Sequence, residues 1–279
     1  MKNCRVFSII ANRFTVFDGE TSFVCTIKGK VKKFKKIMVG DYVKVNEENT
    51  IEDILERSNS LIRPTIANVD YGVVVASIEE PRVSTHLILK FLTYLNYNHI
   101  KPIILFTKND LRKDDYVDKF QKELSSAGIL SFITSKNDAS NFINFVNTQQ
   151  NKTFLFFGQT GVGKSSIINL FDINEKRMIG EYSKSLNRGK HQTKETIILK
   201  VGENYIADSP GFSSLDLNIK KEIFRNYFPV ISEYQDKCFF NDCKHINEPK
   251  CAVKEDVKNE IIPLDWYNIY VALMEENDE

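Results

Sequence analysis

The spacing of apolar and polar positions differs between successive parts of the chain. Residues 5–45 alternate apolar and polar side chains in short runs that are separated by Gly and Asp. This alternation is typical of a small antiparallel barrel or sandwich. Residues 54–64 interrupt the pattern and end in Pro64, which favours a domain boundary at this point.

The next part of the chain has a different pattern, in which short and nearly continuous apolar runs alternate with helical periodicity. This pattern predicts a mainly parallel sheet that is covered on both faces. The predicted strands are 71–77, 102–106, 130–134, 153–157, 196–201 and 204–208, and the predicted helices are 84–97, 114–127, 139–147 and 164–171.

The last part, from about residue 226, contains a Cys/His cluster and then a helical segment that begins at Pro263. Trp266 and Tyr267 lie in this segment. Two interpretations stay open for them, contact with a partner or packing within their own domain.

Length and composition permit two or three domains with real cores, since the chain has 279 residues of which 42% are hydrophobic. No run approaches the roughly 18 apolar residues of a membrane helix. The apolar run at the N-terminus is also too short for a secretion signal. We therefore expect a cytoplasmic protein with no membrane partner. We also expect a monomer.

The net charge of +1 conceals an uneven distribution of charge. Residues 1–63 carry 12 Lys/Arg against 8 Asp/Glu, whereas residues 226–279 carry 5 against 12. Six lysines fall within residues 28–36. This density could attract a polyanion such as RNA, although a solvated hairpin tip is an equal alternative.

A phosphate-binding loop is indicated by GQTGVGKS at residues 158–165, which fits the G-x-x-x-x-G-K-[ST] pattern. An apolar strand precedes the loop and a helical segment follows it. In that setting, backbone N–H groups surround a phosphate at the N-terminus of a helix. Lys164 would reach the outer phosphates, and Ser165 would hold Mg²⁺.

The segment DSPG at residues 208–211 follows a predicted strand and matches the D-x-x-G pattern of GTPases. Asp208 would lie near the metal, and the N–H of Gly211 would face the terminal phosphate. Four residues form a weak signal alone, but their position after the phosphate loop and at a strand end strengthens it.

A guanine-reading loop is indicated by TKND at residues 107–110. The two carboxylate oxygens of Asp110 match two adjacent donors on guanine, where adenine presents an acceptor. Lys108 would lie along the base, and residues 134–136 would support it from the next loop. Thr107 stands where Asn is more usual. The alternative for this string alone is a polar turn after a buried strand.

The order of these motifs is inverted, because the base loop precedes the phosphate loop. If the strand at 153–157 is counted first, every motif falls at its expected strand end. The sequence therefore predicts a circular permutation, with the sheet cut between its third and fourth strands. Permutation is tolerated where the original termini lie close together at the surface.

A structural metal site is indicated by the pattern C-x₄-C-x-H-x₅-C at residues 238–251. Three thiolates and one imidazole suit a closed tetrahedral Zn²⁺ site. Four protein ligands leave no open position, so the predicted zinc is structural rather than catalytic.

The chain resembles the ribosome small subunit-dependent GTPase A family in residues 61–70, 189–193 and 208–215 and in its cysteine spacing. The resemblance implies an N-terminal OB-fold that binds RNA. It also implies activation by the small ribosomal subunit and binding to its rRNA. His191 would act in hydrolysis and Thr193 would contact Mg²⁺ or the γ-phosphate, whereas Phe212 replaces the water-positioning Gln of many small GTPases. Gln192 stands where relatives usually carry Thr.

These observations predict a multi-domain protein. Residues 1–63 would form an OB-fold β-barrel, 64–225 a circularly permuted α/β P-loop GTPase domain, and 226–279 a mainly helical zinc-binding domain with a C-terminal helix. The predicted function is GTP hydrolysis as a switch in late maturation of the small ribosomal subunit. An RNA-binding GTP sensor with little hydrolysis is the alternative, and Asp110 argues against an ATPase.

The predicted site residues fall into four groups. The catalytic residues are His191 and Thr193, and the Mg²⁺ ligands are Ser165 and Thr193. The zinc ligands are Cys238, Cys243, His245 and Cys251. The residues that bind GTP or GDP are Thr107, Lys108, Asn109, Asp110, Ser135, Lys136, Gly158, Gln159, Thr160, Gly161, Val162, Gly163, Lys164, Ser165, Ser166, Asp208 and Gly211.

Overall fold

A computed structural model describes residues 1–27, 36–82, 84–171, 195–211 and 215–276 of the chain. Most of the predicted lysine segment lies outside these ranges, as do His191, Gln192, Thr193 and Phe212. Within the described ranges, no helix combines the length and the apolar character needed to span a membrane.

The N-terminal part is a closed five-stranded barrel, as the alternating pattern predicts. Its strands are β1 (Lys2–Ile10), β2 (Arg13–Phe17), β3 (Ser22–Ile27), β4 (Tyr42–Val45) and β5 (Thr50–Ile54), in the order β1-β2-β3-β5-β4. All neighbouring strands are antiparallel except β3 and β5. Inward-facing Val6, Val16, Val43 and Ile51 form the core of the barrel.

A short hairpin of β6 (Ser60–Leu61) and β7 (Ile66–Ala67) follows the barrel. It spans the predicted domain boundary at residues 63 and 64, and a bridge joins Ile66 to Val39 near β4. The division into 1–63, 64–225 and 226–279 stays a prediction.

The central sheet has six strands in the order β10-β9-β8-β11-β13-β12. They are β8 (Tyr71–Ser77), β9 (Lys101–Thr107), β10 (Leu130–Ile133), β11 (Thr153–Phe157), β12 (Ile197–Val201) and β13 (Asn204–Asp208). Neighbours are parallel except for the antiparallel pair of β12 and β13. All six predicted strands are thus confirmed, within one residue at each end.

The position of β11 shows how the permuted chain builds one sheet. This strand pairs with β8, which precedes it by about eighty residues, and with β13, which follows it. Five strands therefore run in parallel, and their carboxyl ends share one edge of the sheet. The three predicted nucleotide motifs follow β9, β11 and β13, so they meet at that edge, where ligands bind in open α/β sheets.

The described residues include seven α-helices. They are α1 (Thr85–Tyr97), α2 (Tyr116–Ser126), α3 (Ser140–Thr148), α4 (Lys164–Ile168), α5 (Lys221–Phe224), α6 (Ala252–Lys258) and α7 (Leu264–Glu276). Helices α3 and α4 cover one face of the sheet through Phe142, Val146, Ile167 and Ile168. The barrel, α1, α2 and the C-terminal part contribute to one continuous core on the other face.

The barrel is joined to the sheet by Arg5, whose side chain is buried. Its guanidinium donates to Thr153 Oγ1 at 2.7 Å and to the Asn68 carbonyl at 3.1 Å. It also lies over the ring of Tyr205, 4.6 Å from the centroid. A buried charge is tolerated only when it is well partnered, so these contacts hold β1 against the starts of β11 and β13.

Candidate nucleotide site and metal site

The shape of the loop between β11 and α4 depends on its glycines. Gly163, which precedes α4, has φ of +97°, a conformation that side chains disfavour. A Cβ at Gly158 would lie 2.3 Å from the Val75 carbonyl oxygen, so the loop can leave β11 beside β8 only without a side chain. The strand, loop and helix predicted around residues 158–165 are confirmed.

Lys164 is held inside this loop. Its Nζ donates to the carbonyls of Gly158 and Gln159, at 2.9 Å each. Burial lowers the pKa of Lys164, and the nearby carboxylate of Asp208 opposes that shift. The ammonium is thus positioned over the loop before any ligand arrives, next to the carboxylate at the end of β13.

The DSPG segment passes directly against the phosphate loop. A Cβ at Gly211 would lie 2.7 Å from Thr160 Oγ1 and 3.0 Å from the Thr160 Cα, so Gly211 permits close contact. Ser209 Oγ donates to the Phe156 carbonyl at 2.8 Å, which fixes the segment to the end of β11. The structure therefore brings residues 208–211 and 158–165 together.

The TKND segment also contacts the phosphate loop. Thr107 is buried, and its hydroxyl donates to the Val162 carbonyl at 2.5 Å. Thr107 thus ties the two loops together from the position where Asn is more usual. Lys108 has φ of +60°, and its ammonium donates to the Glu80 carbonyl.

Asn109 and Asp110 of this segment are exposed, whereas Thr107 is buried. The Asn109 N–H donates to the Thr134 carbonyl at 3.1 Å, whereas Asn109 and Asp110 face solvent. Ser135 and Lys136 lie in the adjoining loop, where the Ser135 N–H donates to the Asp138 carbonyl at 2.9 Å. The candidate base-reading residues therefore share one exposed rim beside the phosphate loop, whose Ser165 and Ser166 are also exposed.

A cleft of about 820 Å³ lies between the barrel and the phosphate loop. Gln159, Thr160 and Gly211 line one side of it. The other walls come from the barrel, the β6–β7 hairpin and the residues that precede β12, and include Lys36, Val39, Arg63 and Glu195. No pattern in the sequence indicates this cleft, because its walls come from several distant segments with no common motif.

The four predicted zinc ligands are brought together near the C-terminus. His245 Nδ1 lies 3.4 Å from Sγ of both Cys238 and Cys251, and those two sulfurs are 4.0 Å apart. All four ligand atoms, including Sγ of Cys243, lie within 4.8 Å of one another. Tetrahedral Zn²⁺ with its usual bond lengths needs about 3.8 Å between sulfurs and about 3.5 Å between sulfur and nitrogen. The donor set therefore fits zinc in both chemistry and spacing.

Burial shifts the protonation of these ligands in opposite directions. It lowers the pKa of His245 to about 4, so the imidazole is neutral at pH 7, as a metal ligand must be. It raises the pKa of Cys243 to about 12. Zinc binding would therefore have to displace thiol protons.

The strand order, the three loops at one edge and the inverted motif order define a circularly permuted GTPase. Residues 54–218 match the family model described as RsgA GTPase. The chain belongs to the RsgA GTPase family, which confirms the class and the permutation predicted from sequence.

Relatives and solved structures agree over nearly the full length. Small ribosomal subunit biogenesis GTPase RsgA 2 of Oceanobacillus iheyensis is 37% identical over 99% of this chain and 97% of its own. Its Bacillus subtilis counterpart, RsgA, is 38% identical over 93% and 90%. The crystal structure of YloQ, a circularly permuted GTPase, has a TM-score of 0.81 at 31% identity, covering 100% and 95%. YjeQ from Thermotoga maritima has a TM-score of 0.80 at 30% identity, covering 99% and 98%.

Proposed function

We propose that this protein hydrolyses GTP as a switch in the late maturation of the small ribosomal subunit. The observation that carries the proposal is the meeting of three loops. Thr107 bonds to the phosphate loop at Val162, and Gly211 packs against it at Thr160. Family membership and the names of the relatives, which specify small ribosomal subunit biogenesis, support the biological setting.

Each loop has a separate task in nucleotide binding. Backbone N–H groups of residues 158–165 and the ammonium of Lys164 bind the phosphates, and Asp110 accepts from the guanine edge. Ser165 and Thr193 would hold Mg²⁺, which would neutralise charge at the phosphates. Asp208 and Gly211 sense the terminal phosphate at the end of β13.

Hydrolysis is assigned to His191, which would orient or polarise water near the γ-phosphate. Phe212 follows the DSPG segment and carries no group that can orient water. We expect intrinsic turnover to be slow. We therefore expect the small ribosomal subunit to stimulate the reaction.

The barrel and the C-terminal part have two further proposed roles, which are RNA binding and structural support. The barrel and its lysine segment, residues 28–36, are proposed to bind rRNA through charge and shape. Cys238, Cys243, His245 and Cys251 would hold Zn²⁺, which would stabilise the C-terminal part. The protein is proposed to act in the cytoplasm as a monomer.

The test is GTP turnover by the purified protein, alone and with saturating small ribosomal subunits, with ATP as the parallel nucleotide. We expect strong stimulation with GTP only, and its loss in His191→Ala. His99→Asn is the matched control, since His99 is exposed and has φ of +57°, which Asn tolerates. Low turnover under every condition would contradict hydrolysis as the output and favour the RNA-binding GTP sensor.

A further inference from the structure

The candidate base loop continues directly into helix α2. Residues 109–111 form a short 3₁₀ turn, and α2 begins at Tyr116. Two ion pairs stabilise the connection, one from Arg112 to Asp118 and one from Arg82 to Asp114 at 2.5 Å. Because Asp110 is exposed, its position depends on the segments at either end of the loop, and α2 is one of them.

The position of α2 depends on Phe120, which is 2% exposed. Its ring lies 6.0 Å, between centroids, from each of three rings. Phe106 belongs to β9, one residue before Thr107, and Tyr116 begins α2 itself. The third ring is that of Trp266, in the C-terminal helix α7.

Trp266 thus packs against α2, outside the predicted C-terminal domain, which neither interpretation of the sequence anticipated. It is 1% exposed, and its Nε1 donates to Glu123 Oε2 at 3.0 Å. One side chain of α7 therefore contacts α2 through both an aromatic edge and a hydrogen bond, and the two contacts lie one turn apart on α2.

Helix α7 is fixed in turn to the metal-ligand segment. Tyr267 Oη donates to the His245 carbonyl at 2.9 Å, and Tyr270 Oη donates to the Lys244 carbonyl at 2.8 Å. A continuous series of contacts thus runs from the Cys/His cluster through α7 and α2 to the base loop.

We propose that Trp266 is a positioning residue for guanine recognition, holding α2 so that Asp110 meets the base. The proposal rests on the proposed function, because it assumes that Asp110 reads guanine. Under this proposal the C-terminal part acts through α2 on the base loop. It thereby determines how selectively the nucleotide site binds guanine.

The test compares GDP with IDP, which lacks the 2-amino group and so loses one of the two donors to Asp110. In Trp266→Ala we expect GDP affinity to fall about tenfold and IDP affinity about threefold, since one charge-assisted hydrogen bond is misplaced. Partial unfolding would lower both affinities equally. The GDP-to-IDP ratio is therefore a readout that a merely structural role would not change.

Glu123→Ala is a second variant that should fold, because alanine suits a helix. It removes the acceptor of Trp266 Nε1, and we expect a smaller fall in the same ratio. Ile231→Val is the matched control, since Ile231 is buried in the C-terminal part and is not one of the residues in this series of contacts. It should leave the ratio unchanged.

Hydrogen exchange of the nucleotide-free protein gives an independent readout. In Trp266→Ala, amides of residues 107–115 should exchange faster, whereas those of residues 158–165 should be unaffected. Ratios and exchange rates equal to wild type in both variants would overturn the proposal. If the wild-type ratio were itself close to one, the assignment of Asp110 would fail, and that outcome is distinct from a failure of Trp266.

Discussion

The phosphate loop and the base loop lie side by side but are built in different ways. Residues 158–165 are consecutive, and their shape follows from glycines and from the bonds of Lys164 to carbonyls of the same loop. Residues 107–110 depend on other segments, since Thr107 bonds to Val162 and Asn109 bonds to Thr134. The phosphate loop is thus shaped mainly by its own residues, whereas the base loop is held by contacts with other segments.

This difference separates two properties of the site. Binding of phosphates should be sensitive to changes within the loop itself and tolerant of distant ones. Recognition of the base should respond to changes far away, including those in α7. Substitutions in the two loops and in α7 should therefore differ in which of these properties they change.

Lys164→Ala should have the largest effect, because it removes the buried ammonium from the phosphate loop. We expect GDP affinity by calorimetry to fall by about 100-fold, the scale of two charge-assisted hydrogen bonds. Lys152→Ala is the control. Lys152 precedes β11, the strand that leads into the phosphate loop, and it pairs with Asp70 at the end of β11 opposite the loop. A similar loss in both variants would contradict a local phosphate site.

Asp110→Asn should change which base is bound rather than whether phosphates bind. The amide nitrogen cannot accept from guanine, so GDP affinity should fall roughly 30-fold. Xanthosine diphosphate presents a carbonyl in place of the amino group and should bind more tightly than it does to wild type. Competition binding measures both. Unchanged preference among the bases would remove Asp110 from the site.

Thr107→Val keeps the volume of the side chain but removes its hydrogen bond to Val162. The Val162 carbonyl then lacks its partner, so we expect a loss of about 1 kcal/mol, or roughly fivefold in GDP affinity. Thr107→Ser retains the hydroxyl and should stay close to wild type in the same titration. Equal affinities for Val and Ser variants would show that the two loops are aligned by other contacts.

Glu276→Gln should have the smallest effect and one that depends on pH. Its bond to Lys90, which joins α7 to α1, lowers the pKa of Glu276 below about 4.5. The carboxylate therefore stabilises the fold above that pH, and the contribution is lost as the pH falls through the lowered value. Because the side chain is half exposed, we expect about 0.5 kcal/mol, or roughly 1 °C in Tm, at pH 7.

Thermal melting at pH 7 and at pH 2.5 checks this sign. The difference between Glu276→Gln and wild type should shrink at the lower pH, because protonation of the carboxyl group removes its charge. A difference that persists there would assign the effect to packing instead of charge.

Much of the fold could be predicted because the side chains that become buried recur at regular intervals in the sequence. Six apolar runs identified the six strands of the sheet, and alternation identified the barrel. The phosphate loop and the Cys/His cluster were also predictable, since each occupies consecutive or closely spaced residues. The motif order then indicated the permutation.

Contacts between distant segments were decided only by the tertiary structure. The role of Thr107 depends on Val162, the burial of Arg5 depends on Thr153 and Tyr205, and the cleft beside Gly211 needs walls from several segments. Trp266 shows the same limit, because its partners Phe120 and Glu123 lie in α2, far from it in the sequence. Periodicity records that a side chain is buried, whereas the identity of its neighbours is set by how whole elements pack.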